Sequence, residues 1–405
     1  MAVETKKYIP TPSSYEHQVS ALALCISVNV SPIIWGPPGA GKTAVLGAIA
    51  KENKLHLEQI LASTKEPPDF AGFPFIDNGV MRLAPPAWAH NIVKKYMEEK
   101  QVSIAFFDEI STAVPATQAA LLTTFLDRKA GETQMPMSTR MVGAANPPKI
   151  AANGWDLTAP MANRFTHLDW EMDNITIARG MQLGWGAPSV PRLPANIKSL
   201  IRNAEILVGS YIEFKPDAIR YDFSNFSGNP MKAEFHAANN AWPSARSWTA
   251  AAKLFAAANS AVGADKEPIH KNVTRILLEG TVGVAHATQF LTYVDGLDLP
   301  DPKDVLRDPR NYPIPERLDK ISAVLASVQS LSLSYKDEAS FRQIWTAWGD
   351  FLARVVDMGK ADHAFPFIKQ WLDERPTGAG ITDFHRNSFG PILEALKALI
   401  PDAFR

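Results

Sequence analysis

Cysteine is all but missing from the 405 residues: Cys25 stands alone. No intramolecular disulfide can form, which excludes a disulfide-stapled extracellular scaffold. A surplus of one charge is missing too, with 41 Lys and Arg against 42 Asp and Glu, so general attraction to nucleic acid or an anionic membrane is not built into the chain. No uninterrupted apolar run approaches the roughly 18 residues that would suggest a membrane span. The stretch Met1–Pro10 carries charges with no apolar segment behind them, so no secretory signal is read and the expected compartment is the cytoplasm. The nine histidines form no H-E-x-x-H spacing, and with one cysteine a zinc site is not expected. Internal repeats and low-complexity tracts are absent. Cys25 lies in the apolar run Ala21–Ile26 and reads as a small buried hydrophobe rather than a reactive thiol.

The length corresponds to two or three domains. Between Ser31 and Trp170, apolar runs alternate with helical patterns: Ser31–Trp35, Leu55–Leu61, Val102–Phe107, Arg140–Ala145 and Phe165–Trp170. Near-continuous apolar runs separated by helices predict a parallel sheet of five strands covered on both faces, an α/β fold. Further on, Asn196–Phe214, Ser244–Ser260 and Lys271–Val294 show helical spacing of apolar residues. Residues 215–243 read as an irregular insertion. The Pro- and Asp-rich stretch from Asp295 to Pro315 reads as a linker, and Glu316–Arg405 gives about four more helices. The expected domains are therefore 1–172 (α/β), 173–297 (a helical lid), 298–315 (linker) and 316–405 (helical).

The densest chemical signal is Gly36-Pro37-Pro38-Gly39-Ala40-Gly41-Lys42-Thr43, the pattern GxxxxGK[ST]. Phosphate oxygens need several backbone N–H groups converging on them, and glycines let the chain wrap that tightly. The motif follows a predicted strand and opens a predicted helix, Thr43–Glu52, which aims a helix N-terminus at the phosphates. Lys42 would reach the β- and γ-phosphates, and Thr43 would ligand Mg²⁺. The buried run Ile104–Phe107 ends in Asp108-Glu109. An Asp there can hold the metal and the next Glu can polarise an attacking water. Asn146, after the fourth strand, can orient the water or sense the γ-phosphate. Arg164 opens the fifth strand and Arg246 opens a helix of the all-helical part. ATP and Mg²⁺ are the expected ligands.

This order of motifs over Tyr15–Ser260 resembles an AAA+ ATPase, specifically its MoxR branch. The segments Asp69–Phe73 through Gly79–Arg82 and Pro115–Leu122 are similar to that branch as well. Where the family usually has Asn-Arg after Asp108-Glu109-Ile110, this chain has Ser111-Thr112. The resemblance implies a P-loop α/β domain with a helical lid, Asn146 as sensor 1, Arg164 as an arginine finger given to a neighbouring subunit and Arg246 as sensor 2. It further implies a ring, usually hexameric, and chaperone-like activation or assembly of a protein client, often with a von Willebrand factor A domain partner. Another reading is a nucleic-acid motor such as a ring helicase; the hairpin expected over Lys129–Arg140 has an uncharged apex, Gln134–Met137, which speaks against it. A third is a scaffold that binds ATP without turnover.

Three weaker features remain. Phe70, Phe73 and Phe75 either grip a polypeptide in a ring pore or pack the insertion onto its own domain. Asp295, Asp298, Asp301 and Asp304 match no calcium-loop pattern and read as a solvated linker. Trp345, Trp348 and Trp371, near Phe351 and Leu352, form either a core or a docking surface.

Overall fold

The computed structural model describes residues 14–147, 155–183, 190–220, 240–263, 265–297, 299–333, 335 and 337–397. The chain begins with α1 (Ser14–Ser27), β1 (Pro32–Trp35), α2 (Lys42–Glu52) and β2 (His56–Leu61). There follow α3 (Pro68–Ala71), the pair β3 (Phe73–Asp77) and β4 (Val80–Ala84), α4 (Ala87–Glu99) and β5 (Ser103–Asp108). Next come α5 (Pro115–Asp127), β6 (Lys129–Ala130), β7 (Thr133–Gln134), β8 (Arg140–Ala145), α6 (Ala159–Ala162), β9 (Thr166–Asp169) and α7 (Asn174–Leu183). The rest is helical: α8 (Ile197–Phe214), α9 (Ala245–Ser260), α10 (Lys271–Val282), α11 (Val284–Asp295) and α12 (Pro302–Arg307). It ends with α13 (Leu318–Ser332), α14 (Glu338–Asp357), α15 (Ala361–Asp373) and α16 (Asp383–Lys397). Among the described residues no helix is long and apolar enough to cross a membrane.

Five strands form one parallel sheet in the order β2-β5-β8-β1-β9, as the apolar runs predict. Ile33, Ile34 and the run Ile104–Phe107 are wholly buried, and strands buried on both faces need helical crossovers to cover them. Pairing Trp35 with Ala145 and Leu61 with Asp108 lines up the carboxyl ends of β1, β8, β2 and β5. A ladder of rings under the sheet, Phe70, Trp88, Phe107, Phe125 and Phe165, runs with neighbouring centroids 4.7–6.2 Å apart. Cys25 is buried, and desolvation pushes its thiol well up.

The chain divides into two compact units, residues 1–193 with 221–287 and residues 194–220 with 288–405. These boundaries differ from those expected at 172 and 297. Helix α8, read with the lid, packs instead on α13, with Asn203 Nδ2 donating to Ala326 O at 3.2 Å. The stretch read as a linker holds α12, started by Asp301, which accepts from Lys303 N at 2.8 Å, and by Pro302. Val305 and Leu306 on that helix are buried in the second unit's core. The helix expected over Lys271–Val294 is broken by Gly283, whose φ of +85 caps α10 before α11 restarts. Most of the irregular insertion, 221–239, lies outside the described residues, as do Asp298 and the last residues of the chain.

The second unit is built around aromatic packing. Trp345 and Trp371 stack at 4.1 Å, and each indole N–H donates to the other residue's carbonyl at 2.8 Å. Gly349 makes room for this pair, since a Cβ there would stand 2.5 Å from the Trp371 ring. Trp348, Phe351 and Leu352 are buried with them, so this aromatic cluster is core.

Candidate active site

The phosphate loop joins β1 to α2. Gly39 and Gly41 take φ of +80 and +72, the left-handed region that side chains avoid. Gly36 is needed for closeness, because a Cβ would sit 2.8 Å from Trp170 O. The Trp170 indole donates to Ala40 O at 2.9 Å and pins the loop from the end of β9. No side chain caps α2 and no acid stands in its first turn, so its first N–H groups and dipole remain for an anion.

Lys42, only 9% exposed, donates to Gly36 O at 2.6 Å, Pro37 O at 3.1 Å and Asn146 Oδ1 at 3.4 Å. Burial pulls its ammonium pKa down, and the Asp108 and Glu109 carboxylates oppose that. Asp108 closes β5, where its carboxylate accepts from Thr43 Oγ1 at 3.4 Å and from Glu109 N at 2.9 Å. A hydroxyl and a carboxylate so placed form an oxygen donor set that suits a hard cation such as Mg²⁺.

Glu109 adopts φ +57, uncommon for a residue with a side chain. Its carbonyl accepts from Thr112 Oγ1 at 2.7 Å, and its carboxylate accepts from Ser63 Oγ at 2.6 Å. Ser111 Oγ donates to Asn146 O at 3.3 Å and accepts from Asn146 N at 3.2 Å, clamping that residue's backbone. The structure thus brings Lys42, Thr43, Asp108, Glu109 and Asn146 together.

Arg164 and Arg246 form a separate cationic locus. Burial and the nearby Arg246 lower the Arg164 pKa, with Asp127 acting the other way. Arg164 Nη1 donates to Pro160 O. Asn163 ties this corner to the start of α9, donating to Trp242 O at 2.9 Å and accepting from Ser244 Oγ at 2.7 Å. Among the described residues neither arginine hydrogen-bonds or ion-pairs with the phosphate-loop cluster.

Phe70 is 1% exposed and belongs to the ring ladder, whereas Phe73 and Phe75 are 51% and 45% exposed on the β3–β4 hairpin. Ile76, Val80 and Met81 are exposed around its turn. The second hairpin differs from expectation: β6 and β7 turn at Gly131-Glu132, with Gly131 at φ +61, and Met135 is buried rather than at an apex. The two hairpins meet where a Cβ on Gly72 would come within 3.2 Å of Gly131 Cα.

Sequence reasoning missed Ser63, Ser111 and Trp170. Ser63 was within reach: it follows β2 at the same carboxyl edge as Asp108, where open α/β sheets bind ligands.

Residues 32–167 match the profile of the ATPase family associated with various cellular activities (AAA). The match runs from the first residue of β1 into β9 and spans every residue of the cluster and Arg164, leaving Arg246 outside. No curated protein matches significantly. Among solved structures the chain is similar to a proposed ATPase of Cytophaga hutchinsonii, at 16% identity and a TM-score of 0.41 over 66% of this chain and 81% of that one. It is also similar to the RuvB Holliday junction branch migration motor of Thermotoga maritima (14%, 0.26, 79% and 84%). A third is a full-length MCM homolog of Methanopyrus kandleri (13%, 0.33, 71% and 62%).

Proposed function

We propose that this chain is a MoxR-like AAA+ ATPase that hydrolyses ATP to remodel, activate or assemble a protein complex, working as a hexameric ring. The observation that carries the reading is the convergence of Lys42, Thr43, Asp108, Glu109 and Asn146 on a loop whose helix N-terminus is uncapped. On this reading Lys42 exchanges the Gly36 and Pro37 carbonyls for phosphate oxygens. Glu109 leaves Ser63 and orients or deprotonates the attacking water, which Asn146 helps to position. Magnesium, held through Thr43 and Asp108, would supply charge neutralisation at the phosphates. Arg164 serves a neighbouring subunit's site and Arg246 senses the nucleotide as part of a lid. The exposed Phe73, Phe75, Ile76, Val80 and Met81 support a hairpin that engages a protein client, assisted by a von Willebrand factor A domain partner. A nucleic-acid motor is disfavoured, since the turn of the second hairpin carries Glu132 rather than basic residues.

The test is ATP hydrolysis per subunit against protein concentration in Mg²⁺. Specific activity should climb with concentration, and Glu109→Gln should lose roughly 10²–10⁴ in turnover while keeping ATP binding. Normal turnover in that variant would sink the role of Glu109. Tight ATP binding with no hydrolysis at any concentration would favour the scaffold.

A further inference from the structure

The second unit holds an open cavity of about 380 Å³ that the nucleotide reading does not use. Its walls come from the end of α8, from α11 and from the start of α13. Tyr211, Phe214 and Tyr293 give it an aromatic side, with the Tyr211–Tyr293 and Phe214–Tyr293 centroids 5.1 and 5.5 Å apart. Phe214 remains 58% exposed, a large apolar ring at the mouth of a cavity.

The charged groups lining it are both cations, Lys215 and Arg317. Arg317 lies 5.3 Å from the Phe214 ring centroid and is held by Asp319 through Nε at 3.1 Å and Nη2 at 2.6 Å, with the carboxylate outside the lining. Lys215 is different. Its Nζ meets only a neutral group, Gln289 Oε1 at 2.5 Å, and among the described residues it ion-pairs with no carboxylate. Burial, then the Asp319 carboxylate and more weakly Glu213 push the Tyr293 phenol up, with Arg317 acting the other way, and neither carboxylate lines the cavity.

An aromatic wall with an ammonium at its edge that ion-pairs with no carboxylate among the described residues suits an apolar side chain next to a carboxylate. The rim decides the source. Phe214 stands 58% exposed there, an apolar ring that a ligand held inside the cavity leaves in solvent and a larger partner covers. A side chain projecting from a larger partner needs cover on one side only. We infer that this cavity docks a protein segment presenting an aromatic side chain flanked by acidic residues. The site is independent of the nucleotide reading and would stand if that reading failed.

The test uses the full chain and fluorescein-labelled peptides Gly-Asp-Phe-Asp-Gly and Gly-Lys-Phe-Lys-Gly, read by fluorescence polarisation, with phenylacetate as competitor. The acidic peptide should bind saturably and the basic one at least about tenfold more weakly. Lys215→Glu and Phe214→Ala should each weaken binding about tenfold, while Met358→Ala, at an exposed methionine elsewhere in the unit, changes nothing. Hydrolysis of ATP should be the same in Lys215→Glu as in the unmutated chain. Equal binding of the two peptides, or undiminished binding in Lys215→Glu, overturns the proposal. Phenylacetate competing at the same concentration as the peptide would replace a partner segment by a small carboxylate and overturn it too.

Discussion

Two polar clusters, one in each unit, are built in opposite ways. In the helical unit the groups around the tryptophan pair satisfy one another: the Trp345 and Trp371 N–H groups exchange carbonyls, and Asp350 accepts from His385 at 2.8 Å and Arg310 at 2.9 Å. Around the phosphate loop of the α/β unit the partners are replaceable. Lys42 borrows backbone carbonyls, Glu109 is held by a serine hydroxyl, and the first turn of α2 has no side-chain cap. A closed network rigidifies a core, whereas one with replaceable partners can trade them for a ligand. The polar groups around the phosphate loop are therefore the ones that can exchange their partners for those of a ligand.

That contrast can be broken by substitution. The largest effect is expected at Arg164, outside the cluster. If it completes a neighbour's site, Arg164→Ala loses about 10³–10⁵ in hydrolysis with ATP binding retained, and mixing it with Glu109→Gln chains restores some activity. Unchanged turnover would confine catalysis to one chain. Trp371→Ala tests the closed side. It removes the stacked ring and leaves the Trp345 carbonyl without its donor, so chemical denaturation should register a loss of about 3–5 kcal/mol. A loss below about 1 kcal/mol would mean the pair is not a structural core. The smallest effect belongs to Ser63→Ala. It removes one hydrogen bond to Glu109, so stability should fall by only about 0.5–1.5 kcal/mol while basal hydrolysis is kept or raised. A fall in hydrolysis as deep as that of Glu109→Gln would make Ser63 part of the chemistry rather than a provisional partner.

Legibility followed the same division. The phosphate loop, the Asp108-Glu109 pair and the central strands β5, β8 and β1 could be read because each is set by local spacing or by burial on both faces, and the half-buried edge strands β2 and β9 by their place between helical patterns. Ser111 could not, since its bonds to Asn146 exist only once β5 and β8 lie side by side, while Ser63 was legible only as far as its place at the carboxyl edge of β2. Two features were legible and passed over. Asn78-Gly79, at φ +50 and +79 between alternating residues, is a strong local hairpin signal, and Gly283 marks a break in an otherwise continuous helical pattern. The tryptophans lay between these cases. Spacing identified a buried face, but the reciprocal bonds between Trp345 and Trp371 join different helices and leave no trace in periodicity.

Glu109 carries one more consequence. Its φ of +57 lies where glycine or asparagine is at ease and other residues pay about 1 kcal/mol or more. Thr112 and Asp108 hold it there from either side through its carbonyl and its N–H. Optimising this sequence for its backbone alone would count Glu109 among the positions to replace, with Lys54, Lys100, Arg128 and Lys266, which share its left-handed φ. A designer guided only by folding energy would then obtain a sturdier protein from which the proposed turnover had been erased.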